Sequence, residues 1–210
     1  MNYKRSSLME ERMAQNRLAI LQATRDLTAR GGFKDAQINA IAELAGISSG
    51  LVYRYFNSKN QLLVEVLTDA AMQEIRILES IYREDLPPKE KLFKAVTAFV
   101  KRALTGPQLA YSLIFEPVDV AIEIERVRVK QLIKNAIIDI LKEGQESGDF
   151  SFDDVNTAAL CIVGAMTFAV VEPIDPARRK KFDKQDFVRY VAEFCLQAVV
   201  RAPQPVQGEN

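Results

Sequence analysis
From Ser48 to Lys59 the sequence reads Ser-Ser-Gly-Leu-Val-Tyr-Arg-Tyr-Phe-Asn-Ser-Lys. Val52 and Phe56 stand four residues apart, so on a helix they share one side. The opposite side presents Ser49, Gly50, Tyr53 and Arg54, with Leu51 and Tyr55 toward its flanks. Apolar anchors facing in and hydroxyl, phenol and guanidinium groups facing out make a surface suited to a polyanion. Gly50 keeps the backbone slim enough for close approach. Ser48 is placed to cap the helix start, whose free N–H groups suit a phosphate. Charge is distributed accordingly. The 210-residue chain has 28 basic and 28 acidic residues, yet residues 1–62 hold nine basic against five acidic, leaving +4 there and −4 in the remainder. One end is basic and the body acidic, a pattern that fits a polyanion bound at one end, although a solvated face gives the same count.

Other chemistry is excluded by what is missing. The chain has no histidine, so Ser-His-Asp and Cys-His sites cannot be built and the commonest proton shuttle near neutral pH is absent. Two cysteines, Cys161 and Cys195, are too few for a structural zinc site. Both sit in apolar helical patterns, which predicts free thiols rather than a disulfide. No catalytic residue, metal or cofactor is expected.

The elements that must position this surface are helical. Leu18, Ile20, Leu21, Ala23, Thr24 and Leu27 follow helical spacing and predict a helix from Glu10 to Arg30, stopped by Gly31-Gly32. Two short helices follow, Ile38 to Ala45 and Ser49 to Phe56, joined by Gly46-Ile47-Ser48 in a helix-turn-helix arrangement. Val52 and Phe56 should pack onto the first helix and onto Ile38, Ile41 and Leu44. Ser58 to Gln61 reads as a capping box opening a helix to Tyr82. Further helices are predicted at Lys89–Leu104, Val118–Lys142, Phe152–Val171 and Lys184–Val200, separated by Gly106-Pro107, Glu116-Pro117, Gly144 to Gly148 and Pro173 to Pro176. No alternating strand pattern of useful length exists, so the class is all-α. The tail from Ala202 to Asn210, with Pro203, Pro205 and Gly208, is expected to be disordered.

The segment from Arg17 to Leu62, with Ala45-Gly46-Ile47-Ser48, then Gly50-x-x-Tyr53-x-Tyr55-Phe56, then Ser58-Lys59, resembles the DNA-binding domain of TetR/AcrR-type transcriptional regulators. The resemblance implies a three-helix DNA-binding domain at 1–62 and a helical ligand-binding and dimerisation domain at 63–201. It implies that Tyr53, Tyr55 and Lys59 bind backbone phosphates while Ser49, Leu51 and Arg54 lie nearest the bases. There, Arg54 on a guanine edge would contribute about 1–3 kcal/mol of discrimination, and Leu51 would touch a thymine methyl. Two positions depart from the family. Gln37 stands where a Thr or Ser usually opens the second helix, and Ser49 and Leu51 stand where Lys and Thr are usual. Apart from the motif, Tyr53 and Tyr55 as half-buried core aromatics and Arg54 as a solvated charge remain open.

One recognition helix reads few bases, so such domains work as dimers on two half-sites of a pseudo-palindromic operator. The last two helices are the expected homodimer surface. The helix Phe152–Val171 is apolar nearly all round, and Phe187, Tyr190, Val191, Phe194, Ala198 and Val199 form a matching stripe. The middle helices are expected to enclose an apolar or amphipathic effector, with Phe99, Arg102, Leu109, Tyr111, Phe115 and Glu116 as contacts and Ser112 as a further polar anchor. With no leader-like segment and an apolar run shorter than a span needs, a cytoplasmic protein without a membrane partner is expected. The resemblance carries repression as the mode of control. The alternative from another class is an all-helical carrier or enzyme without a role on DNA, which leaves the Tyr53-Arg54-Tyr55 surface unexplained.

Overall fold
The structure is a computed structural model that describes residues 2–175, 177 and 182–200, with side chains from residue 8 onward. Among these residues there are ten helices: α1 (Asn2–Gly31), α2 (Ile38–Leu44), α3 (Ser49–Tyr55), α4 (Lys59–Tyr82), α5 (Pro88–Thr105), α6 (Pro107–Ile114), α7 (Val120–Glu146), α8 (Val155–Ala169), α9 (Val171–Ile174) and α10 (Lys184–Gln197). No strand is described, and one antiparallel bridge joins Phe150 to Val200. The class is all-α. The expected disordered tail lies outside the described residues.

Several boundaries differ from the sequence reading, each for a local reason. α1 starts at Asn2 rather than Glu10; no proline or glycine interrupts residues 2–9, and Lys4, Arg5, Leu8 and Met9 are good helix formers. It ends where Gly32 takes φ 87° and gives its N–H to Thr28 O at 2.9 Å, a left-handed turn that glycine enters freely. α4 opens on Ser58, whose Oγ accepts from Gln61 N at 3.1 Å. Gln61 Oε1 reaches Asn57 N at 2.7 Å, one residue before its expected capping-box partner. The short helix α6 was not foreseen; it follows Gly106 with Pro107 in its first turn, where a missing N–H costs nothing. α7 runs through Gly144 instead of stopping there. The Phe150 ring lies so close over Gly144 that an added Cβ would come within 2.0 Å of it. The turn is made at Gly148, with φ 79°.

α8 begins at Val155 rather than Phe152 because Asp154 is the cap, its Oδ2 accepting from Thr157 N at 2.6 Å. The hydrogen bonds from Thr157 hold the Asp154 carboxyl below its ordinary range. Asp183 caps α10 in the same way, its Oδ1 accepting from Gln185 N at 2.8 Å and Asp186 N at 3.0 Å. Residues Val155–Ile174 are by length and composition long and apolar enough to cross a membrane, a longer apolar stretch than the sequence reading drew, and one third of that stretch is buried inside the chain.

The chain forms two compact units. The first takes in Met1–Gln73, Ala103–Val129 and Val171–Lys180, and so includes more chain than residues 1–62. Its core joins Ile20 and Ala23 of α1, Phe33, Ile41 and Ala42, Val52 and Phe56, Leu62, Leu63 and Leu67 of α4, and Ile122 of α7. Leu44, expected in this core, is 43% exposed; it is the last residue of α2 and turns away from the packed side. The second unit takes in Glu74–Arg102, Lys130–Val170 and Lys181–Asn210. Leu92, Val96 and Val100 of α5, Ile137, Ile140 and Leu141 of α7, Ile162 and Met166 of α8 and Ala192 of α10 are buried there. Lys91 is also buried in this unit, and is held by both Glu143 carboxylate oxygens at 2.7 and 2.9 Å and by the Tyr82 ring at 5.3 Å.

Candidate nucleic-acid interface
Local chemistry sets α3. Ser48 is extended, at φ −80° and ψ 150°, and its Oγ accepts from Leu51 N at 3.2 Å, so the first turn is capped. Gly46 makes the preceding bend at φ 69°. Val52 and Phe56 are buried completely or nearly so, and the Arg17 guanidinium stacks on the Phe56 ring at 5.3 Å while pairing with Glu65. With that side fixed, the other side faces out. Tyr53 is 55% exposed and is no core aromatic. Arg54 and Gly50 are exposed, Ser49, Leu51 and Tyr55 half-buried. A Cβ built on Gly50 would meet nothing within 4 Å, so the surface beside it is open to a ligand backbone.

Two asparagines that the sequence reading passed over tie this surface together. Ser49 Oγ lies 2.8 Å from Asn39 Oδ1 on α2 and donates to it, leaving the serine lone pairs free. Asn16 Nδ2 of α1 donates to the Tyr55 hydroxyl at 3.2 Å. An Asn on a helix gives no sequence signal by itself, because only the fold brings positions 10 and 39 residues apart into contact. Gln37 occupies the cap position of α2 without capping it; its Nε2 donates instead to Lys34 O at 2.6 Å. Lys59 is half-buried at the start of α4. Burial pushes its pKa below the usual lysine range, and the Glu116 carboxylate opposes that shift.

The sequence model for bacterial regulatory proteins of the tetR family matches residues 20–66. Over a longer stretch, the fatty acid metabolism regulator protein of Bacillus subtilis is 27% identical over 153 residues, 71% of this chain and 78% of that one. The transcriptional repressor KstR of Mycolicibacterium smegmatis is 42% identical over 62 residues, 30% of each chain. Among solved structures, the fatty acid degradation regulator FadR of Bacillus halodurans superposes with a TM-score of 0.74 at 25% identity, covering 85% of this chain and 96% of that one. FadR of Bacillus subtilis, solved in complex with stearoyl-CoA, gives a TM-score of 0.74 at 23% identity over 85% and 97% of the two chains. These matches support a TetR-family transcriptional regulator. The relatives named above are regulators and not enzymes, and regulators of the tetR family bind operator DNA and dimerise.

The six expected effector contacts are divided. Phe99 and Arg102 belong to the second compact unit, Leu109, Tyr111, Phe115 and Glu116 to the first. All six are half-buried. Both charged members already have partners. Arg102 Nε donates to Glu74 Oε1 at 2.6 Å, and Glu116 Oε2 accepts from Phe33 N at 2.9 Å. Ser112 differs: it is fully buried and its Oγ has no hydrogen-bond partner among the described residues. The second unit also carries an open depression of about 340 Å³ lined by Leu86, Lys89, Glu90, Phe93, Lys94 and Leu196.

A residue that the sequence reading missed organises the end of α6. Arg126 is 4% exposed. Its Nε donates to Leu113 O at 2.9 Å and its Nη2 to Ser112 O at 2.6 Å and Glu116 O at 2.8 Å, while Nη1 pairs with Glu123. These carbonyls at and just beyond the end of α6 would otherwise be short of donors. The segment it holds carries Glu116 against Gly32 and Phe33, so it braces the turn that follows α1.

Proposed function
We propose that the protein is a homodimeric repressor that occupies a pseudo-palindromic operator and leaves it when a small molecule binds. Ser49, Leu51 and Arg54 lie at the bases, with Tyr53, Tyr55 and Lys59 on phosphates, Ser48 presenting the α3 N-terminus, and Gly50 allowing close approach. The observation that carries this reading is the outward face of α3, with Tyr53 and Arg54 exposed on a helix whose other side is anchored by buried Val52 and Phe56. Residues 1–62 supply the DNA-binding part and 63–201 the ligand and dimer part. Two copies join through α8 and α10, whose surfaces expose Leu160, Phe168, Tyr190 and Phe194 at 55–74%, more apolar surface than a solvated helix pair normally shows. The same contact covers the exposed side of the apolar stretch 155–174, which makes a soluble cytoplasmic dimer its reading.

The effector is apolar or amphipathic, and the likeness to the fatty acid metabolism regulator, together with the stearoyl-CoA held by the solved FadR of Bacillus subtilis, favours a long-chain acyl thioester. The unsatisfied Ser112 hydroxyl is a group that the effector's polar end would satisfy. The test titrates stearoyl-CoA, with free coenzyme A as control, into the protein bound to duplex DNA from upstream of its coding sequence. Release by stearoyl-CoA alone is expected; no release by either would reject the acyl-thioester class. Tyr53→Ala with Arg54→Ala should abolish operator binding at unchanged helicity, and unchanged affinity would reject the interface.

A further inference from the structure
In the N-terminal half of α1 only Asn16 has entered the interface described so far, through Tyr55. Asn16 donates to the Tyr55 hydroxyl oxygen, so the phenol's own hydrogen is left to donate elsewhere. At 100° per residue, Arg12 falls within about 40° of Asn16 on the same face of α1, whereas Glu10 and Glu11 lie more than about 100° away. Arg12 is exposed and enters none of the ion pairs found among the described residues. Met9 and Met13, at 63% and 49% exposure, flank it without covering it. Lys4 and Arg5 lie nearer the start of the same helix. A face that carries an arginine, excludes both neighbouring glutamates and continues from Tyr55 is positive where DNA would pass.

We propose that α1 is a further DNA-contacting element, in which Arg12 holds a backbone phosphate next to the one bound by Tyr55, and Asn16 positions the Tyr55 hydroxyl for that bond. This rests on the operator-binding reading above. Such a contact adds affinity without sequence preference, because phosphates carry no base information.

The experiment measures binding of the full-length protein and of Arg12→Ala, Arg12→Glu and Arg12→Lys to the upstream duplex and to a scrambled duplex, over a range of salt. Arg12→Ala is expected to weaken both duplexes by the same factor and to lower the slope of log affinity against log salt by about 0.9 per half-site. Arg12→Lys should restore the slope and Arg12→Glu should lower it further. Asn16→Ala should weaken binding in the native background and have no added effect in Tyr55→Phe. If wild type binds the upstream duplex selectively and Arg12→Ala and Arg12→Glu leave affinity and slope unchanged, the inference falls while the operator reading stands. If wild type shows no preference for any genomic duplex, the operator reading falls and takes this inference with it.

Discussion

Replacing Arg126 by methionine isolates the bracing role of the buried guanidinium. Methionine keeps the length and apolar stem of the side chain, so the change removes charge and donors more than volume. Three carbonyls, those of Ser112, Leu113 and Glu116, lose their donor, while Glu123, with its side chain 51% exposed, turns to water at little cost. An orphaned buried acceptor costs about 1–3 kcal/mol. The lost guanidinium also no longer has to be kept out of water, which offsets part of that sum. The net expectation is about 3–4 kcal/mol, which in a chain of this size lowers Tm by about 6–16 °C. Urea and thermal unfolding of Arg126→Met, with Glu123→Gln as the control for the ion pair alone, measure it. Glu123→Gln should cost less than about 1 kcal/mol, since its carboxylate is half in water. A loss below about 1 kcal/mol for Arg126→Met, or equal losses for the two variants, would refute the claim that the carbonyl contacts carry the effect.

Further expectations follow from single residues. Gly32→Ala forces an L side chain into φ 87° and puts its Cβ 2.8 Å from Glu116 Oε2, so unfolding should show a loss of about 2 kcal/mol or more; a neutral result would contradict the close approach there. Cys195 is buried and burial pushes its thiol up to about 11. It should resist alkylation in the native protein at pH 8 and react in urea. Because the unfolded thiol ionises first, stability is unaffected below the ordinary thiol range and falls as pH rises from there toward 11. Phe168→Glu with Phe194→Glu, both at 66–74% exposed positions, should leave a folded monomer by sedimentation; an intact dimer would move the interface elsewhere.

The α3 segment was legible in the sequence because its signals are local. The i, i+4 pair Val52 and Phe56, the Ser48 cap and the Gly46 turn each act within a few residues, and the structure has all of them in place. The helices of the body were legible as periodic patterns, but their ends were not. The Gly144 reading failed because the Phe150 ring decides that position, and α6 was missed because eight residues hold too few turns to show a period. Arg126, Asn16 and Asn39 were illegible for a different reason. Their partners lie 10 to 39 residues away in sequence, and a buried arginine inside a long charged helix reads as one more solvated cation. Glu116 was noticed as a polar group near apolar neighbours, but its bond to Phe33 N needs the turn after α1 to be in place first.

The central claim, that the exposed side of α3 reads an operator, is tested most directly by equilibrium binding of the purified protein to duplex DNA from upstream of its own coding sequence, against a scrambled duplex of equal length, at two salt concentrations. The account predicts strong preference for the upstream duplex, with affinity falling steeply as salt rises. Equal, weak binding to both duplexes, together with failure to select any genomic fragment, would contradict it.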